Sequence, residues 1–243
     1  MSEVSERHVQ IPLGGTCRIW EKGSGEPLAI FAGGAGYQRW SPFLELMSQS
    51  RRVVLISQPG YPGSNPGHHE LDDTTDWITM GLDLLEAAGV KGADLLGESA
   101  GGMLAAELAA FSDTHVRKLV LVGAAGLYDP AEPFQNPFAI RGTEIAAFVS
   151  NNLEAFNAVH AAPQGDEDET ADFELVAYRA IESCARLIWP MGDRGLGKRL
   201  HRITCPTLLL WGSEDRVTPA SYAKRFADGI RGPSEIHSIE GAG

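Results

Sequence analysis

Short apolar runs alternate along the chain with longer segments whose apolar residues recur at helical spacing. The runs predict strands over Leu28–Ala32, Arg52–Ser57, Ala93–Leu96, Lys118–Gly123, Pro206–Trp211 and Ser234–Glu240. The longer segments predict helices over Tyr37–Gln49, Asp72–Ala88, Ala100–Phe111 and Ala220–Asp228. Ahead of them, His8–Leu13 and Thr16–Glu21 flank two glycines and predict an antiparallel hairpin at the sheet edge. Alternating strands and helices predict an α/β fold, in which a mostly parallel, twisted sheet has helices on both faces.

The alternation stops between residues 127 and 200. This stretch has no strand pattern and its aromatic residues recur at helical spacing, so we expect a helical insertion there. The core would then consist of residues 1–126 and 201–243. Within the insertion Gly165–Thr170 is strongly acidic, and we expect it to be a solvated loop rather than a metal site.

Composition narrows the classes of function. The 243 residues are 43% hydrophobic and carry a net charge of −12. This charge repels phosphate backbones and anionic lipid surfaces, so we expect a small-molecule substrate and neither a nucleic-acid nor a membrane partner. No apolar run reaches the roughly 18 residues of a membrane span, and the polar N-terminus is unlike a signal peptide. Three cysteines without a CxxC pair are typical of a reducing compartment, so a cytoplasmic protein of open oligomeric state is expected.

The segment Gly97-Glu98-Ser99-Ala100-Gly101 has the pattern G-x-S-x-G. It directly follows a predicted strand and directly opens an alanine-rich predicted helix. A sharp turn from strand to helix exposes the serine Oγ above the helix N-terminus, where developing negative charge is favoured. We therefore expect Ser99 to be a nucleophile, and the alternative is an ordinary helix-capping serine.

This G-x-S-x-G segment between a strand and a helix resembles the α/β-hydrolase fold superfamily, in particular its small lid-bearing serine hydrolases. In that family a glycine-rich loop after the third strand supplies one N–H group of the oxyanion hole. Here the loop is Ala32–Gly36, with Ala32 at the place of the usual histidine, and Gln58–Ser64 resembles the family's next Pro- and Gly-rich loop. The resemblance implies that the N–H groups of Gly34 and Ala100 form the oxyanion hole. It also implies that the helical insertion is a lid over the site.

The segment Trp211–Pro219 resembles the family's W-G-x-x-D-x-x-x-P stretch, which carries the acid of the catalytic triad. The resemblance implies that Asp215 orients and stabilises a catalytic histidine. Glu214 is the adjacent alternative, and Asp129 is a second one, because some relatives place the acid after the preceding strand.

The family's triad histidine follows the last strand. Relatives commonly read G-A-G-H there, whereas this sequence stops at Gly243 after Gly-Ala-Gly. We expect the histidine directly after Gly243, a truncated sequence without the family's closing helix, and a 243-residue chain that is nearly inactive. The seven histidines present lie elsewhere in the predicted fold and are poor candidates for the base.

No cofactor and no metal are expected from the sequence. Gly192–Arg199 imitates a phosphate-binding loop, but no strand precedes it and it lacks the final Ser or Thr. The pair His68-His69 lies in a Gly- and Pro-rich loop, where a metal site is conceivable and a solvated loop is the favoured interpretation.

The sequence therefore predicts a serine hydrolase that cleaves a small, largely apolar ester or related carbonyl substrate through an acyl-enzyme. One alternative is a C–C bond hydrolase of ring-fission-type diketones, for which Arg186 could bind a substrate carboxylate. Another, suggested by the missing histidine, is a hydrolase-fold protein that binds a ligand without turnover.

Overall fold

The computed structural model describes residues 3–243, which form one eight-stranded sheet with helices on both faces. The strands are β1 (Ser5–Ile11), β2 (Gly15–Lys22), β3 (Pro27–Phe31), β4 (Arg52–Ile56), β5 (Ala93–Glu98), β6 (Val116–Val122), β7 (Thr207–Gly212) and β8 (Ser234–Ile239). The helices are α1 (Pro42–Ser48), α2 (Thr74–Ala87), α3 (Ser99–Phe111), α4 (Ile145–Val149), α5 (Leu153–His160), α6 (Glu167–Ile188) and α7 (Ser221–Gly229).

The strand order across the sheet is β1-β2-β4-β3-β5-β6-β7-β8. The hairpin β1–β2 and the pair β2–β4 are antiparallel, while every pairing from β4 to β8 is parallel. The predicted α/β class with a mostly parallel sheet is therefore confirmed. The carboxyl ends of β3, β5, β6 and β7 meet at one edge of the sheet, where α/β folds place their ligands.

Helix α1 is shorter than the sequence pattern suggests. It begins at Pro42 instead of Tyr37, because the Ser41 side chain accepts a hydrogen bond from the Leu44 N–H and Pro42 occupies the first helical position. The five residues before Pro42 are therefore left in the loop that follows β3. This difference places Tyr37 in a loop at the carboxyl edge of the sheet, where it contacts the residue that precedes Ser99.

The prediction of a loop over Gly165–Thr170 is wrong from Glu167 onward. Helix α6 begins at Glu167, and the Asp166 side chain caps it by accepting hydrogen bonds from the Asp168 and Glu169 N–H groups. Three acidic residues in the first turn stabilise the positive end of the helix dipole. The acidic residues that suggested a solvated loop thus form the first turn of α6, the longest helix within residues 3–243.

Two glycines allow α3 to pass very close to the sheet. A Cβ atom at Gly101 would lie 2.3 Å from the Phe31 carbonyl oxygen, and one at Gly97 would lie 2.4 Å from the Gly101 carbonyl oxygen. Both obstacles are backbone atoms of regular elements, which cannot move aside cheaply. The close approach holds the start of α3 directly against the end of β5.

We expect Gly101→Ala to lower the free energy of unfolding by about 2–3 kcal/mol through this clash. Gly142→Ala is the matched control, because no heavy atom lies within 4 Å of a Cβ built there. Urea denaturation of the two variants measures the difference. Equal stabilities of the two variants would contradict the tight approach of α3 to the sheet.

None of the helices between residues 3 and 243 is long and apolar enough to cross a membrane. The longest, α6, has 22 residues, of which only five are buried.

Candidate active site

Ser99 lies at the turn from β5 to α3 with φ 49°, and it is the one residue other than glycine in the described chain with a positive φ. The left-handed conformation is strained for a residue with a Cβ, and such strain persists only where the surrounding structure enforces it. Here the hydrogen-bonded end of β5 and the buried start of α3 enforce it, and the Ala125 N–H donates to the Ser99 carbonyl oxygen at 3.0 Å. The G-x-S-x-G segment thus adopts the strand–turn–helix that the sequence predicts.

The glycine-rich loop after β3 lies directly over this turn. A Cβ at Gly33 would lie 2.8 Å from the Ser99 Cβ and 3.3 Å from the Ala100 backbone nitrogen. Gly34 is exposed, has φ 50° and would have no heavy atom within 4 Å of a Cβ, so its backbone borders open space. Ala100 directly follows Ser99 at the start of α3, and the Gly34 backbone lies against the Cys184 thiol of α6.

Asp215 lies in the loop after β7. Its Oδ1 accepts hydrogen bonds from the Val217 and Thr218 N–H groups at 2.9 and 2.8 Å. Its Oδ2 faces the end of β6, where a Cβ at Gly123 would lie 3.0 Å away. Partial burial raises the pKa of Asp215, and the two N–H groups partly offset this effect. One carboxylate oxygen is thus fixed by the backbone, and the other is left for a further donor.

The two alternative acids are placed differently. Glu214 is exposed, and its carboxylate accepts a hydrogen bond from Asn151 at 2.9 Å. Asp129 is paired with Arg225 on α7, and its other oxygen accepts from the Ala131 N–H at 2.9 Å. Each of these two carboxylates therefore binds a side chain, whereas the hydrogen bonds that Asp215 accepts come from backbone N–H groups.

The histidines in residues 3–243 do not form a hydrogen bond with Ser99. His8 contacts the Gly63 carbonyl, His115 contacts Ser112 and Glu86, and His237 contacts Glu235. His160 on α5 lies against the loop that follows β3, with its ring centroid 6.2 Å from that of Tyr37. Burial and the charge of Arg39 lower the pKa of His160.

Glu98 is a feature of the site that the sequence analysis missed. The Tyr37 hydroxyl donates to its two carboxylate oxygens at 2.9 and 3.1 Å. Burial raises the pKa of Glu98 to about 7, and the Tyr37 hydrogen bond opposes the rise only in part. An acid with a pKa near neutrality thus lies next to Ser99. The sequence did contain a signal for it, since Glu98 is a charged residue at the end of a buried strand.

We expect Glu98 to make the protein less stable as the pH rises. The folded protein retains the Glu98 proton up to about pH 7, whereas an unfolded chain releases it near 4.5, so the stabilisation is lost across this window. Glu98→Gln removes the titration and should gain roughly 1–3 kcal/mol in free energy of unfolding, relative to the wild type, between pH 5 and pH 8. Denaturant unfolding at both pH values measures the gain, with the exposed Glu154→Gln as control. A pH-independent difference between the wild type and Glu98→Gln would contradict this assignment.

Helix α6 reaches the site from the insertion. The Ser183 hydroxyl donates to the Pro59 carbonyl at 2.7 Å, which fastens α6 to the loop after β4. Cys184 is buried against the Gly34 backbone and the Tyr61 hydroxyl, and burial raises its pKa to about 11. Arg186 donates to the carbonyls of His68, His69 and Leu71, so this arginine holds a loop and does not face Ser99.

Comparisons with known proteins agree with this geometry. A model of the alpha/beta hydrolase family matches residues 29–243. The 2-hydroxymuconate semialdehyde hydrolase of Pseudomonas sp. (strain CF600) is 26% identical over 242 residues, which cover 90% of this chain and 81% of the relative. The 2-hydroxy-6-oxo-2,4-heptadienoate hydrolase of Pseudomonas putida is 25% identical, over 90% of this chain and 82% of its own. The crystal structure of naproxen esterase from Bacillus subtilis has a TM-score of 0.73 at 17% identity, covering 99% of this chain and 85% of the esterase.

Proposed function

Because the chain belongs to the alpha/beta hydrolase family, we propose that it is a serine hydrolase that cleaves a small, largely apolar ester or related carbonyl compound through an acyl-enzyme. The observation that carries the proposal is Ser99 at φ 49°, held on the turn between β5 and α3 beneath a glycine loop. A serine on such a turn has its hydroxyl at the N-terminus of a helix, and this placement supports a role as the nucleophile of acyl transfer.

In the proposed reaction Ser99 Oγ attacks the substrate carbonyl carbon and loses its proton to a histidine. The carbonyl oxygen becomes an oxyanion, which accepts hydrogen bonds from the Gly34 and Ala100 N–H groups. When the tetrahedral intermediate collapses, the histidine returns the proton to the leaving alcohol. A water molecule, deprotonated by the same histidine, then attacks the acyl-enzyme and releases the acid and free Ser99.

We propose that this histidine is the residue directly after Gly243. The Glu214 N–H donates to the Ala242 carbonyl at 2.8 Å, and the Asn151 N–H donates to the Gly243 carbonyl at 2.9 Å. Position 243 thus lies beside the residue that precedes Asp215. A histidine attached there would start within reach of the free Oδ2 of Asp215, which would hold the imidazole and stabilise its charged form.

Aromatic side chains from the insertion support an apolar substrate. Phe156 and His160 of α5 stack at 4.7 Å between ring centroids, and His160 lies against Tyr37. Phe173 of α6 lies on the same side, where its carbonyl accepts a hydrogen bond from Gln38 at 2.8 Å. We propose that residues 127–200 form a lid, with these rings between it and the glycine loop, so that the acyl or alcohol group is selected by apolar contact.

A second candidate is hydrolysis of a C–C bond. The dienoate in the name of the Pseudomonas putida relative contains no ester or amide, so water must cleave that compound beside its ketone. Such a substrate carries a carboxylate, and Arg186 is already engaged by backbone carbonyls. Arg39 is the better candidate to bind it, because its guanidinium packs 4.8 Å from the Phe173 ring centroid and forms no ion pair within residues 3–243.

Turnover of 4-nitrophenyl butyrate and of 2-hydroxy-6-oxo-2,4-heptadienoate separates the two candidates. The measurement uses the chain with a histidine after Gly243, and Ser99→Ala gives the background rate. A kcat/KM at least about tenfold higher for the ester supports the proposed function. The reverse ratio, with a KM for the dienoate that rises in Arg39→Gln while the ester KM stays constant, supports C–C cleavage instead.

A further inference from the structure

His68 is a buried imidazole without a hydrogen-bond partner. It lies in the short turn Gly67–Glu70 between β4 and α2, and none of its side chain is exposed. Neither ring nitrogen forms a hydrogen bond with a residue between 3 and 243. A buried polar nitrogen without a partner costs about 1–3 kcal/mol, so the arrangement calls for a compensating ligand. The solvated loop expected for His68-His69 is therefore wrong at His68.

The two nitrogens of this ring have different surroundings. A Cβ at Gly60 would lie 2.3 Å from His68 Nδ1, so backbone covers that side of the ring. Nε2 points the other way, toward the Glu182 carboxylate of α6, whose Oε2 lies 3.6 Å away. This separation is too long for a hydrogen bond.

His69 completes a group of three potential ligands. Its Nδ1 lies 3.6 Å from Glu182 Oε1, and the ligand atoms of His68, His69 and Glu182 all lie within 4.8 Å of one another. In a tetrahedral zinc site, neighbouring ligand atoms at ~2.0–2.1 Å from the metal are about 3.4 Å apart. The two imidazole-to-carboxylate separations, both 3.6 Å, are close to that value, so side-chain rotations would bring the three residues onto one ion.

The charges around the group are compatible with a divalent cation. Glu182 supplies a negative charge to the group, and each imidazole can bind a metal through a ring nitrogen. The guanidinium of Arg186, a nearby cationic side chain, donates to the carbonyls of His68, His69 and Leu71 and is 3.6 Å from the Asp72 carboxylate. His69 and Glu182 are more than half exposed, which leaves an entry path and room for a water as the fourth ligand.

We propose that His68, His69 and Glu182 form a binding site for a divalent transition-metal ion such as Zn²⁺, which joins the turn Gly67–Glu70 to helix α6. Two imidazoles and one carboxylate are a ligand set that zinc prefers. The bound ion would satisfy His68 Nε2 and link the insertion to the core at a place apart from Ser99. We expect it to stabilise the protein by binding the folded state alone.

Titration of the protein with Zn²⁺ in a calorimeter tests the site, and Co²⁺ absorption reports the ligands. The exposed ligands are changed separately in Glu182→Gln and His69→Gln, because substitution of the buried His68 could disturb the fold. His201→Gln is the matched control, since His201 is exposed and lies outside the group. Thermal unfolding with and without Zn²⁺ gives a second readout.

We expect one Zn²⁺ per chain, and each of the two variants should weaken binding by about tenfold or more while His201→Gln leaves it unchanged. The Co²⁺ spectrum should show a site without a thiolate band, and Zn²⁺ should raise the melting temperature of the wild type more than that of Glu182→Gln. A Kd above about 1 mM would overturn the proposal. So would binding that either of the two variants leaves intact, since that ion would not be held by all three residues.

Discussion

A histidine added directly after Gly243 is expected to raise the rate of ester hydrolysis about 10³-fold over an alanine added at the same position. A serine hydroxyl is a weak nucleophile without a base that removes its proton. The two extended chains differ in one side chain only, so any effect of lengthening the chain by one residue is the same in both. Initial rates with 4-nitrophenyl butyrate measure the effect.

The gain should depend on the residues that would flank the added imidazole. Asp215→Asn should remove most of it, because the amide cannot stabilise the imidazolium that forms when Ser99 is deprotonated. Glu214→Gln should leave it nearly unchanged, because the Glu214 carboxylate is exposed and bound to Asn151. If the histidine and alanine extensions had equal rates, or if Glu214→Gln were the damaging change, the proposed triad would be wrong.

Arg199→Met is expected to lower the free energy of unfolding by about 3–5 kcal/mol. Glu107 of α3 is 1% exposed, and Arg199 is its only cationic partner within residues 3–243, with hydrogen bonds from Nε at 2.8 Å and from a terminal nitrogen at 2.5 Å. Methionine fills a similar volume but leaves a buried carboxylate without a partner. Chemical denaturation of wild type and variant gives the loss.

The double variant Glu107→Leu with Arg199→Met serves as control. It removes both charges, and we expect it to recover most of the lost stability, because replacing a buried pair by apolar side chains is often neutral. A single variant that loses less than about 1 kcal/mol would show that Glu107 does not depend on Arg199. A double variant as unstable as the single one would assign the loss to packing instead.

The parts of the site that depend on neighbours in sequence could be predicted. Ser99 adopts a positive φ because a strand, two flanking glycines and a helix follow one another without a gap, and all of these are readable from the chain. The mostly parallel sheet follows in the same way from buried apolar runs separated by helical segments. For these features the local pattern and the tertiary structure carry the same information.

The parts that depend on distant residues could not be predicted. His68 is buried because α6, more than a hundred residues later, contacts its turn through Arg186 and the preceding loop through Ser183. Glu98 could be located on the chain, but its raised pKa results from burial next to Tyr37, which the sequence pattern placed in a helix. Periodicity predicts which face of an element is apolar and does not predict which loop lies against that face.

The central claim, that Ser99 is the nucleophile, is tested most directly by covalent labelling. The chain with a histidine after Gly243 is treated with a fluorophosphonate probe, and the modified peptide is identified by mass spectrometry. The account predicts a single adduct on Ser99 that forms far more slowly when alanine replaces the added histidine. An adduct on a different residue, or no adduct on a protein that still binds its ligand tightly, would contradict the account and favour a hydrolase-fold binding protein.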